Sequence, residues 1–250
     1  MLADFVRDRL VEDWSPRQIA GFLAVMRPDT PEMRVSHETI YKTVFIQCRG
    51  VLARELTKHL RTHRPIRKHK RHSVKGQLRS QIAGAVSIHD RPVEVEDRAV
   101  PGHWEGDLML GRGITQMATL VERTSRFTVL VQLDGRDMVT VSARIATKMA
   151  DLPAELLRSL TWDRGMELAR HHDVTRWTGL EVYFADPRSP WQRGTNENTN
   201  GLLRQYFTKG TSLAKVTQAD LNIVATKLNT RPRKALGYRT PATVFDQVLH

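Results

Sequence analysis

Apolar residues in the first 48 positions recur at helical spacing. Phe5, Val6, Leu10 and Val11 form one short stripe, and Ile19, Phe22, Leu23 and Met26 form a second. Ser15-Pro16 marks the start of that second helix, with Ser15 as N-cap and Pro16 at the first helical position. Arg27-Pro28-Asp29-Thr30-Pro31 breaks it. Ser36 caps a further helix from His37 to about Gln47, which turns Ile40 and Val44 inward. Two short capped helices joined by a turn predict a helix-turn-helix, and the pattern alone leaves an ordinary small helical bundle equally open. In a helix-turn-helix the second helix presents its N-terminal residues to base edges, which here are His37, Glu38, Thr39 and Lys42.

Residues 91–250 follow a different pattern. Strands rich in Val, Thr and Leu are predicted over 102–110, 117–122 and 126–133, with connections short enough for an antiparallel meander. A helix over 137–150, a strand over 157–163, a short helix over 167–172 and a strand over 180–185 follow. A helical stretch over 196–207 and a helix capped by Thr217 complete the order. Three strands followed by alternating helices and strands predict an α/β domain with a mixed sheet flanked by helices. The chain thus divides into a helical region over 1–48, a linker over 49–90 and a sheet domain over 91–250.

Charge changes the meaning of the linker. The 250 residues carry a formal net charge of +12. Eleven Lys and Arg lie between Arg49 and Arg79 against the single acid Glu55, a local excess of ten positive charges. Arg64, Arg67, Lys68, Lys70 and Arg71 crowd its centre, where Ile66 is the one aliphatic residue. Such a segment cannot build a core and reads as an arm. Its density favours phosphate contact, because each neutralised phosphate releases counterions; a merely solvated charge run is the alternative. The single cysteine, Cys48, excludes an internal disulfide and a cysteine-based zinc site. With no apolar run long enough for a membrane span and no signal pattern, the expectation is a soluble cytoplasmic protein without a membrane partner.

Acids at strand ends are the places to look for chemistry. Asp107 lies in the first strand of the sheet domain, Asp163 ends the fourth, and Glu197 stands at a helix start. If the first and fourth strands are neighbours, the two aspartates can share one metal, and a helix crossing their ends can add Glu197. Clustered hard oxygen ligands select Mg²⁺ or Mn²⁺, and two such ions can clamp the attacking and leaving oxygens of an in-line phosphoryl transfer. Among 27 acids, three alone carry little weight.

The surrounding motifs carry more. Gly102-His103-Trp104-Glu105-Gly106-Asp107-Leu108 and Thr161-Trp162-Asp163-Arg164-Gly165 resemble aspartate motifs of the IS30 family of insertion-sequence transposases. Residues 182–207, centred on Ser189-Pro190-Trp191-Gln192-Arg193-Gly194-Thr195-Asn196-Glu197, are similar to that family almost residue by residue. Asp163 and Glu197 are separated by 33 residues, as in the family's DDE pattern. The resemblance runs from about Trp14 to the C-terminus. It implies a ribonuclease-H-like, integrase-type catalytic core, with Asp107, Asp163 and Glu197 as catalytic residues and ligands of two divalent ions, Mg²⁺ or Mn²⁺. It implies DNA hydrolysis to a 3′-OH followed by strand transfer, with element ends and target DNA as partners, homo-oligomers when ends are synapsed, and a place at the bacterial nucleoid.

Neighbouring residues have two readings each. Glu105 shares a strand face with Asp107; it either joins the metal site or supports it, and alternation and resemblance favour support. Arg193 and Arg204, at helical spacing with Glu197 and Asn200, either bind substrate phosphates or are solvated. Asn198, like Asn196, either caps the helix or touches DNA and is taken as supporting. Trp104 and Trp162 read as core. His103, His171 and His172 lack zinc-ligand spacing. Arg231-Pro232-Arg233-Lys234 is a DNA-facing loop or a solvated turn. Family members carry a further N-terminal helix-turn-helix, and this chain begins just before the second one. The alternatives to an active transposase are therefore a truncated remnant acting as a DNA-binding protein or inhibitor, and a nuclease of the same fold.

Overall fold

A computed structural model describes residues 1–44 and 82–249. Two compact units result: residues 1–44 with 229–249, and residues 82–228. The centre of the basic arm, with Arg64, Arg67, Lys68, Lys70 and Arg71, lies outside the described residues, as does Cys48.

The first unit begins with three helices, α1 (Leu2–Val11), α2 (Pro16–Met26) and α3 (His37–Lys42). Local chemistry sets their starts. The Ser15 and Gln18 side chains reciprocally cap α2, with Gln18 N–H donating to Ser15 Oγ at 3.3 Å and Ser15 N–H to Gln18 Oε1 at 2.8 Å. Ser36 Oγ accepts from Thr39 N–H at 3.0 Å and opens α3. Leu10, Trp14, Ile19, Leu23, Met33, Ile40 and Val44 close a common core with Phe5, Val6 and Phe22 packed against it; of the residues expected in the two stripes, Val11 and Met26 are exposed instead.

The C-terminal segment belongs to this same unit, although the sequence division places it with the sheet domain. Arg231, 2% exposed, lies 3.6 Å from Asp13, and Gln18 Nε2 donates to the Pro232 carbonyl at 2.9 Å. Arg231 is thus neither DNA-facing nor solvated: a buried guanidinium needs a carboxylate, and Asp13 supplies it. Gly21 is required by this packing, because a Cβ there would meet the Tyr238 ring at 2.1 Å.

The second unit is built on a six-stranded sheet of order β1-β6-β5-β2-β3-β4. Its strands are β1 (Val86–Ser87), β2 (His103–Leu110), β3 (Gln116–Glu122), β4 (Thr128–Leu133), β5 (Ser159–Trp162) and β6 (Glu181–Phe184). The meander β2-β3-β4 is antiparallel, with Asp107 opposite Thr119. Parallel pairs β2–β5 and β5–β6 extend it, with Trp104 opposite Leu160 and Leu160 opposite Val182. The mixed ribonuclease-H-like sheet flanked by helices is therefore present.

Its helices, numbered after the first three, are α4 (Glu94–Asp97), α5 (Met138–Met149), α6 (His171–Thr178), α7 (Gly194–Leu203) and α8 (Gln218–Asn229); α9 (Pro241–Val248) belongs to the first unit. Asp137 caps α5 through Thr140 N–H at 2.8 Å. The helix expected over 167–172 is instead a single 3₁₀ turn at Met166–Leu168 followed by α6, which ends at Gly179 with φ of 76°. Strand β1 stands inside the segment read as linker, its two residues too few to leave an alternating pattern. It pairs with β6, and Ile82 and Ile88 beside it are buried. Trp104 and Trp162 are fully buried, as expected.

Candidate active site

The site is assembled where β2 and β5 run side by side. Alternation along β2 sends Glu105 and Asp107 to one face, and Gly106 between them to the other. On that other face the Trp162 ring fills the place of a side chain: a Cβ on Gly106 would meet it at 2.2 Å. Helix α7 packs against β2 and β3. Its seat is Glu105, which is fully buried. One carboxylate oxygen accepts from Thr195 and Asn196 N–H at 2.8 and 3.0 Å, and the other pairs with Arg123 at 2.8 Å. An anion at a helix N-terminus meets unpaired N–H groups and the positive end of the helix dipole. Asn196 adds a second clasp, donating to the carbonyls of Glu105 and Thr119, each at 2.8 Å, and accepting from Thr119 Oγ1 at 2.9 Å.

With the helix seated, its side chains reach the aspartates. Arg193 Nη1 lies 3.3 Å from Asp107 Oδ1, and Nη2 lies 3.7 Å from Asp163 Oδ2. The Asn200 amide donates to Asp107 Oδ2 at 3.1 Å. Asp163 Oδ1 accepts from Gly165 N–H at 3.0 Å, which fixes the turn after β5. Burial raises the Asp107 pKa; Arg193 opposes this, and the charge of Asp163 adds to it. Glu167 is raised as well, chiefly by burial, with Asp163 again contributing. Both aspartates and Glu167 line an open groove of about 990 Å³, with Arg136, Arg164 and Arg170 on its walls.

Two of the three expected acids are thus brought together. Asp107 and Asp163 converge on one cationic centre, and such a pair of hard oxygen donors fits a divalent ion of the Mg²⁺ or Mn²⁺ class. Glu197 is not with them: its side chain is exposed on α7, and among the described residues no three His, Cys, Asp or Glu side chains converge as a metal site. Its backbone lies on the helix turn between Arg193 and Asn200, both of which reach Asp107. Asn198 is exposed too. Arg204, half-buried, donates to the Leu110 carbonyl at 3.3 Å. On α3, Glu38, Thr39 and Lys42 are exposed and His37 is half-buried, stacked edge-on with Tyr41. Sequence spacing singled out Arg193, but its position between two aspartates from different strands leaves no local signal. His103 and His171 are buried on Ser159 Oγ and the Gly84 carbonyl.

Residues 97–190 match the family model of the integrase core domain. Over 98% of its length the chain is 48% identical to the transposase InsI for insertion sequence element IS30A of Escherichia coli, and it spans 64% of that protein. It is 46% identical to the transposase for insertion sequence element IS1086 of Cupriavidus metallidurans, covering 98% of this chain and 72% of that one. Among solved structures, the catalytic core domain of BIV integrase aligns with 60% of this chain and 96% of its own at 17% identity and a TM-score of 0.46.

Proposed function

Because the chain belongs to the IS30 family of insertion-sequence transposases, we propose that it catalyses metal-dependent DNA cleavage and strand transfer. The observation that carries this reading is the convergence of Asp107 and Asp163, from parallel neighbouring strands, on one cation at the edge of an open groove. Asp107 and Asp163 would hold the ions, and Glu197, on the helix that crosses them, would complete the set. Two bound divalent ions would supply charge neutralisation at the attacking and leaving oxygens of in-line displacement at phosphorus.

The chain's own residues do the positioning. Glu105 and Asn196 fix α7 on the sheet, so that groups on its exposed face meet DNA in one register. Arg136, Arg164 and Arg170, on the groove's walls beside the acids, would contact the phosphate backbone. Lys42 and its neighbours on α3 would read bases, and the basic arm would hold the duplex by charge. A water attacks the scissile phosphodiester and leaves a 3′-OH; that 3′-OH attacks a second phosphodiester, and one P–O bond forms as one breaks. No covalent protein intermediate is needed. The partners in this reading are element-end and target DNA, and a second copy of the chain when two ends are joined. No helix among the described residues is long and apolar enough to cross a membrane.

The test is a strand-transfer assay on labelled element-end DNA with Mn²⁺. Joined product is expected from the wild type, and loss to below about 1% with Asp107→Ala or Glu197→Ala. Activity surviving both substitutions would sink the assignment of these acids. Binding without cleavage would point to a DNA-binding inhibitor, and cleavage without joining to a nuclease.

A further inference from the structure

Arg193 occupies the place that the proposed chemistry reserves for a metal. Its side chain is 12% exposed, its guanidinium lies within ion-pair distance of both aspartates, and Nη1 also donates to the Gly106 carbonyl at 3.0 Å. Its Nε is buried with no partner among the described residues. The group is therefore held by charge more than by a complete set of hydrogen bonds. Two carboxylates facing one groove repel each other, and one positive charge between them relieves that repulsion. A guanidinium stays charged at any working pH, so it can leave only by moving. Its backbone is the N-cap of α7, two residues before Thr195, whose N–H is fixed on Glu105. The side chain can swing while the helix stays.

We propose that Arg193 is the built-in counter-cation of the Asp107–Asp163 pair, that a divalent ion taken up by these carboxylates displaces it, and that the displaced guanidinium then serves a DNA phosphate. Metal and DNA would then bind cooperatively, because each removes an obstacle to the other. While the aspartates hold Arg193, the groove lacks that phosphate contact; once a dication takes the carboxylates, like charge drives the guanidinium outward. The inference rests on the metal-dependent reading above.

Two titrations test it on the full chain. Mn²⁺ binding, followed by the electron paramagnetic resonance of the free ion, is expected to be on the order of ten-fold tighter in Arg193→Gln than in wild type. Arg193→Lys, which keeps the charge, should stay near wild type. In a Glu197→Gln background, which blocks cleavage, the anisotropy of a labelled duplex should report about five-fold tighter DNA binding with Mn²⁺ than with EDTA, and Arg193→Gln should abolish that gain. If Arg193→Gln folds only with Mn²⁺ present, its affinity is read by back-titration with EDTA, against the same expectation. Equal Mn²⁺ affinity in Arg193→Gln and wild type would overturn the competition while leaving the metal reading intact. An undiminished Mn²⁺ effect on DNA binding in Arg193→Gln would overturn the hand-over. Failure of every variant to bind Mn²⁺ would overturn the metal reading and the competition together.

Discussion

Glu105 and Asp107 lie two residues apart on the same face of one strand, and their surroundings are opposite. Glu105 is fully buried and receives a guanidinium and two helix N–H groups. Asp107 is 29% exposed and shares its guanidinium with Asp163. No shift in pKa is needed to see which one is built into the frame. A carboxylate with its lone pairs filled by fixed donors cannot take a new ligand without losing old ones. A carboxylate with a shared, movable partner can. The difference separates a structural acid from an available one, although in sequence they are the same kind of residue on the same face.

The sharpest way to break this contrast is substitution at the two positions. Glu105→Ala leaves Arg123 buried without its partner and the first N–H groups of α7 without an acceptor. A loss of about 3–5 kcal/mol is expected from denaturant unfolding. Asp107→Asn removes a charge that burial disfavours and should change stability by no more than about 1 kcal/mol. Equal losses at both sites would erase the distinction. Next in size is the clasp beside Glu105: Asn196→Leu leaves two buried carbonyls without their amide donor and should cost about 2 kcal/mol in the same measurement. A value near zero would mean Glu105 seats the helix alone.

The smallest effect is a pH dependence at the buried start of the same strand. Burial lowers the pKa of His103, whose Nδ1 lies 2.7 Å from Ser159 Oγ. The unfolded chain gains a proton near pH ~6.5, and the folded chain only at lower pH. Stability contributed by the neutral ring is therefore full above that value and is lost as pH falls toward the folded pKa. Thermal midpoints of the wild type should decline between pH 7 and 5, and His103→Gln should flatten the decline.

Local features of the fold were legible because their causes are local. Ser15, Ser36 and Asp137 announce helix starts through bonds three residues long. The meander is written in the spacing of Val, Thr and Leu. Asp107 and Asp163 could be named from motif and strand position, and their neighbourhood followed once β2 and β5 were found parallel. What could not be read depends on long-range packing. Arg193 meets acids 86 and 30 positions upstream, and the two-residue β1 finds its place only through β6. The exposed direction of Glu197 is likewise a matter of side-chain torsion, on which spacing is silent.

The attachment of the C-terminal segment to the first helices has a consequence in time. The groups that Arg231 and Tyr238 meet, Asp13 and Gly21, are made before any strand of the sheet. At 5–20 residues per second, the intervening chain takes on the order of ten seconds to synthesise. Throughout that interval Asp13 lacks Arg231 and Gly21 lacks the Tyr238 ring, while the whole sheet emerges between them. These contacts of the first helices can close only after the sheet between them has been made.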